Sequence, residues 1–265
     1  MPERDKFAIL WRAHRVWAVA AIHGEAARLR ALHGELSRRF AAGDRLVYLG
    51  NYLGIGDAGA TVDEILDFRR WLIARPSMFA SDVAHLRGAQ EEMWQKLLQL
   101  QFAPNPREVL EWMLGHGVGA TLRGYGGDER HALAVSREGA LAIARWSSGL
   151  RAAMQSRPGH TKLISSLKRA GVTSDGRLLF VHAGIDPSRP LSAQSDSFWW
   201  NLGGFSRMSS PYAGFVRVVR GFDRRHAGVT ESAYTTSIDA GCGFGGPLIA
   251  ACFDLDGTVV ERIEA

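Results

Sequence analysis

The chain has 265 residues, 46% of them hydrophobic and 22% charged, with a formal net charge of +5. A chain this long buries roughly three quarters of its unfolded surface and folds without a staple, and two cysteines, Cys242 and Cys252, exclude a disulfide framework and a four-thiolate zinc site. Met1 to Leu10 holds no apolar run long enough for a secretory leader and no apolar stretch of about 18 residues follows, so a soluble, cytoplasmic protein with no membrane partner is expected.

Arg15 to Ile22 (RVWAVAAI) reads as a buried strand that breaks at His23-Gly24-Glu25. Leu29, Leu32, Leu36 and Phe40 then recur at helical spacing. Arg45 to Leu49 is a second strand, followed by a glycine-rich loop from Gly50 to Gly59. Thr61 with Glu64 three residues on predicts a capping box opening a helix through Ala74, which Pro76 ends. Asp82 to Leu86 is a third strand, with a helix starting near Glu91. Three strand–helix units in succession predict a largely parallel sheet.

The middle, from Pro106 to Ala170, is helix-rich, with Trp112, Leu114, Trp146 and Leu150 as apolar anchors. Strands are predicted at Leu178 to Ala183, Phe215 to Val219, Thr235 to Asp239, Pro247 to Leu255 and Thr258 to Ile263, with Asp256-Gly257 as a hairpin turn. They suggest a second sheet, hence two sheets with helices outside. With no repeat, low-complexity tract or linker, one domain over 1–265 with a helical insertion at about 91–171 is the simplest organisation.

Gly54 to Gly59 (GIGDAG) matches G-x-G-x-x-G between a strand and a helix, the setting of a dinucleotide-binding turn. It follows the second strand rather than the first, and Asp82 opens the next strand where a ribose-binding acid would close it. A nucleotide-binding module using this loop is therefore an alternative rather than the leading reading.

Five short segments stand at strand ends in fixed order: Ala20-Ala21-Ile22-His23-Gly24, Gly50-Asn51-Tyr52-Leu53-Gly54-Ile55-Gly56, Leu86-Arg87-Gly88-Ala89-Gln90-Glu91, Val181-His182-Ala183-Gly184 and Arg220-Gly221-Phe222-Asp223. Here the chain resembles the calcineurin-like metallophosphoesterases, specifically the bacterial serine/threonine protein phosphatases, whose blocks are G-D-x-H-G, G-D-Y-x-D-R-G, L-R-G-N-H-E, H-A-G and G-H. Glu111 to Leu114 through Thr121 to Gly126, Pro158-Gly159-His160, and Ile238 to Gly241 with Gly243 to Gly246 extend the resemblance over nearly the whole chain. It implies an α/β fold, a four-layer sandwich of two mixed β-sheets flanked by helices.

In that family two divalent metals such as manganese sit side by side. Carried onto this sequence, the Asp of the first block is Ala21 while its His is kept as His23. The bridging Asp is Asn51, the Asn ligand is Ala89, the His of H-A-G is kept as His182, and the last His is Phe222. The proton-donating His is Gln90, its partner Asp is Gly54, and the phosphate-gripping arginines are Ile55 and Asn201, the latter beside Trp199-Trp200. Eight of the ten positions are replaced.

Two divalent ions about 3.5–4 Å apart repel by roughly 19 kcal/mol at an effective dielectric of 20. The family offsets this with carboxylates, and here both are missing. His23, Asn51 and His182 remain as the former ligand positions, and one imidazole per metal does not make a site. No intact metal site, no bound cofactor and no catalytic residue are expected, with Gln90 standing at the family's proton-donor position. The leading reading is a phosphatase-like protein acting by binding, a pseudophosphatase. The alternative is an active phosphoesterase whose metal site is rebuilt from Asp57, Glu91, Asp223 and His226 with His23 and His182.

Four lysines leave 28 of the 32 basic residues as arginine, scattered rather than clustered. Such a surface is not expected to bind nucleic acid. It favours an acidic or phosphorylated protein as partner.

Overall fold

A computed structural model describes residues 6–265. Residues 1–5, where the stretch read as lacking a leader begins, lie outside the described residues. The strands are β1 (Phe7–Leu10), β2 (Arg15–Val19), β3 (Asp44–Tyr48), β4 (Val83–His85), β5 (Ala170–Thr173), β6 (Leu178–Val181), β7 (Arg217–Arg220), β8 (Gly228–Glu231), β9 (Thr235–Asp239), β10 (Ile249–Phe253) and β11 (Val259–Glu264). The helices are α1 (Ala26–Arg39), α2 (Ala58–Ile73), α3 (Ala89–Leu97), α4 (Pro106–Gly115), α5 (Val118–Gly124), α6 (Glu129–Val135), α7 (Ala140–Gln155), α8 (His160–Ser165), α9 (Ser197–Trp200) and α10 (Leu202–Ser206). No helix among the described residues is long and apolar enough to cross a membrane.

The strands form two mixed sheets, in the orders β11-β10-β2-β3-β4 and β1-β5-β6-β7-β9-β8. In the first, β2, β3 and β4 run parallel, as their strand–helix alternation requires, and β10 lies antiparallel to both β2 and β11. In the second, β6, β7 and β9 are parallel neighbours. The division differs from the one predicted in two respects. The last hairpin, β10–β11, crosses to the first sheet, where Ala250 stands opposite Val19 and Phe253 opposite Val16. The second sheet also gains β1 and β5, which pair in parallel. Every residue of β10 is buried, so its side-chain pattern carries no mark of which sheet it joins. β1 and β5 are four residues each, too short to show a period.

Alternation along β6 places the layers. Leu178 and Phe180 belong to the core between the sheets, and the Phe180 ring meets Phe253 of the other sheet edge-on at 6.0 Å. Leu179 and Val181 point the other way, into a second cluster with Phe198, Trp199 and Phe205. α9 and α10 thus cover the outer face of the second sheet. On the first sheet, α1 packs on α2 and against β11 with Leu29, Leu32 and Leu36 fully buried.

α2 starts one turn earlier than the Thr61 capping box predicts. Asp57 is the N-cap, accepting from the Ala60 N–H at 2.9 Å. Thr61 is buried inside the helix, and Glu64 pairs with Arg30 and His33 instead.

Candidate functional site

Because β2, β3 and β4 are parallel, their following loops leave the same edge of the first sheet, and these loops carry His23, Asn51 and Ala89-Gln90. β6 and β7 deliver His182 and Phe222 from the second sheet. Backbone stitches join the two edges. Ala21 N–H donates to Gly221 O at 2.9 Å, and the N–H groups of Gly221 and Phe222 both donate to His182 O. The loops approach so closely that a Cβ on Gly24, at φ +82°, would meet the Gly56 backbone at 2.6 Å. His23, Asn51 and His226, non-glycine residues around this crevice, also hold left-handed backbone (φ 54°, 53° and 49°), the kind of strain that collects where a scaffold holds a site.

The hydrogen bonds fix which atoms are spent. Asn51 Oδ1 accepts from the Gln90 N–H at 3.0 Å, so its Nδ2 is the atom facing His23 Nε2 at 3.2 Å. An amide NH2 can only donate, so His23 Nε2 accepts and the ring proton sits on Nδ1. His23 Nδ1 has no partner and is buried. Gln90 Nε2 donates to His116 O at 2.7 Å, which leaves Gln90 Oε1 as a buried acceptor without a donor. His182 Nδ1 donates to Leu49 O at 2.7 Å, leaving a bare lone pair on Nε2. Burial drives both imidazoles below the usual 6.5, to about 3 for His23, where His182 and His226 add to the effect, and to about 4 for His182. Both are neutral at pH 7.

Aromatic rings fill the crevice. Phe222 lies parallel on His182, with centroids 5.4 Å apart and planes 4° apart, and its centroid is 5.7 Å from that of His23. Phe244, 55% exposed, stands edge-on to His23 at 5.0 Å and stacks on His226 at 4.6 Å. A cavity of about 540 Å³ remains, lined by Phe222, Phe244, His23 and His226 with Ile55, Ala89, Gln90, Met93 and Trp200, and with Arg224 among its walls.

The side chains considered for a rebuilt site are spent elsewhere. Glu91 is buried at the start of α3, where its carboxylate accepts from the N–H groups of Asn51, Leu53 and Gly88 at 2.8–3.0 Å; burial raises its pKa and those bonds oppose the rise. Asp57 caps α2. Asp223 is held by Arg220 at 2.5 Å, and His226 by Asp239 at 2.8 Å. Among the described residues no three His, Cys, Asp or Glu side chains converge as metal ligands. The Gly54–Gly59 loop is likewise engaged: Gly54 N–H donates to Thr121 Oγ1 at 3.0 Å and Gly56 N–H to His23 O at 2.8 Å. The Arg157 guanidinium lies against Gly59 at the start of α2, where a phosphate-binding turn would present free N–H groups. Asn201, at a former arginine position, caps α10 by accepting from Gly204 N–H at 2.8 Å. Phe244 and Met93 went unread as site residues. The glycines around Phe244 were the available signal, since a loop of that composition can lay one side chain across a neighbouring strand end.

No protein-family model and no curated protein sequence matches the chain. Solved structures do match it along nearly its whole length. A candidate diadenosine tetraphosphatase is 20% identical with a TM-score of 0.59, the match covering 98% of both chains. A protein serine/threonine phosphatase from Saccharomyces cerevisiae is 13% identical with a TM-score of 0.50, over 98% of this chain and 84% of that one. The chain has the calcineurin-like metallophosphoesterase fold. At these identities the likeness concerns the fold, and the chemistry rests on the side chains in the crevice.

Proposed function

We propose that this chain is a metallophosphoesterase-fold protein that binds in its crevice without hydrolysing phosphoesters. The observation that carries this reading is the Phe222 ring, stacked on His182 and set against His23, beside the Asn51 amide that turns its NH2 toward His23. A two-metal phosphoesterase needs anionic oxygen there to bridge and offset two dications about 3.5–4 Å apart. These residues offer a hydrocarbon ring, an amide donor and two neutral imidazoles, and they do not fit a metal pair. Glu91, the carboxylate beside Gln90, is bound to three backbone N–H groups, and releasing it would strand all three.

Assay of the purified protein with p-nitrophenyl phosphate and manganese, with elemental analysis after dialysis, tests this. Background turnover and no stoichiometric metal are expected. Turnover that disappears in His23→Ala or His182→Ala would overturn it in favour of a rebuilt hydrolase.

A further inference from the structure

We propose that the crevice is a binding site for a planar heteroaromatic molecule with a lactam-type edge, one that presents a ring N–H beside a carbonyl oxygen. The proposal rests on the non-hydrolytic reading above and names what the same site takes. Two unspent atoms on residues that line the cavity are complementary in kind to such an edge. The networks around Asn51 and Gln90 make His23 Nδ1 a donor and Gln90 Oε1 an acceptor, and each lacks a partner. A ligand carbonyl answers the first and a ligand N–H the second. Nine buried side-chain atoms among the described residues lack a partner; these two belong to residues of one cavity, and a ligand that completes both supplies a reason for them.

The remaining wall selects for shape and charge. Phe222, Phe244, Trp200 and Ile55 offer ring faces and apolar edges to a flat molecule. Among the described residues no Asp or Glu lines the cavity, the neutral His23 adds no charge, and Arg224 is the one cationic side chain in its wall, so a cationic ligand is disfavoured. A volume of about 540 Å³ falls within the range of ordinary small-molecule pockets. Phe244 stands edge-on to His23 and sits between Gly243 and Gly245, both at positive φ. Such a loop can swing its one ring away from His23 and close it over a bound plane.

Isothermal titration with hypoxanthine and with nicotinamide as lactam and amide probes, and with indole as a donor-only control, tests the proposal on the full chain. Saturable binding of hypoxanthine is expected, at least tenfold tighter than indole. Gln90→Leu should weaken it at least tenfold and Phe244→Ala about fivefold. Phe244 is largely exposed, so its truncation leaves the fold intact and keeps the test meaningful if the Gln90 variant unfolds. Absence of saturable binding by both hypoxanthine and nicotinamide, equal affinity for indole, or affinity unchanged in Phe244→Ala would each overturn it. Phosphatase turnover with bound metal would instead overturn the reading beneath it, so the two failures are read by different instruments.

Discussion

Four of the five buried histidines among the described residues divide into two pairs. On the helical side, His33 contacts Glu64 with one ring nitrogen and the Tyr48 hydroxyl with the other, both at 2.8 Å. His160 likewise contacts Tyr125 Oη at 2.9 Å and Asp63 at 2.8 Å. At the crevice, His23 and His182 each satisfy one nitrogen and leave the other bare. All four are equally hidden from water, so burial does not separate them; the count of satisfied atoms does. A two-sided imidazole is a structural crosslink. A one-sided imidazole holds an unmade bond, and both of these stand where strand ends from two sheets meet.

The largest effect that tests this division comes from a fully spent group inside the crevice. Glu91→Ala removes the acceptor for three buried N–H groups and should cost at least about 3 kcal/mol of stability in urea unfolding, at about 1–3 kcal/mol per stranded group. A cost below about 1 kcal/mol would show that those amides find water, and that the crevice is wetter than its orphaned atoms indicate. Next is His160→Leu, expected to cost about 1–3 kcal/mol because it strands the buried Tyr125 hydroxyl, while the exposed Asp63 carboxylate keeps Arg157 at 3.9 Å.

How far such roles were legible in the sequence differs with the range of the contact that sets them. Ala21, Asn51, Ala89 and Phe222 were placed correctly at strand ends because each follows a short apolar run and a glycine marks the turn. The two-sheet architecture was legible from the spacing of those runs. The sheet that β10 joins was not, because an all-apolar strand is compatible with either neighbour, and register across about 230 residues decides it. The cap of α2 was misread because Asp57 and Thr61 both stand before helix-compatible residues, and only the backbone turn at Asp57 tells them apart. The Asn51 amide orientation depends on the N–H of Gln90, 39 residues away, and no local pattern encodes it. The filling of the crevice by Phe244 depends on a loop over two hundred residues from His23.

The fifth buried histidine, also with a bare ring nitrogen, sharpens the comparison through pH. His85 stacks on Tyr48 at 5.1 Å, leaves Nε2 bare and lines a separate cavity of about 460 Å³. Burial first, then Arg69 and His33, hold its pKa at about 3. Between about pH 6.5 and 3 the unfolded chain carries a proton on this ring that the folded one refuses. Stability is therefore full above pH 6.5 and falls as pH drops through that window, by up to about 1.4 kcal/mol per pH unit for each such histidine. Urea midpoints measured across the window should show that slope, and His85→Phe should flatten it by about one proton's worth. An unchanged slope would mean His85 titrates normally and its cavity is open to solvent.

The smallest predicted change decides the comparison. His182→Leu deletes one hydrogen bond, to Leu49 O, but also removes a buried lone pair that has no donor. A leucine keeps apolar volume beneath Phe222, whose ring now rests on the imidazole face. Stranding the Leu49 carbonyl costs about 1–3 kcal/mol and removal of the orphaned imidazole nitrogen returns a similar amount, so the variant should unfold within about 1 kcal/mol of the parent. His160→Leu is the same chemical change at a two-sided position, and the gap between them, measured by urea unfolding at pH 7, reports the satisfied bonds. Equal costs for the two leucine variants would mean that His182 Nε2 already has a partner in solution, and the crevice would then have to be redrawn around whatever occupies that position.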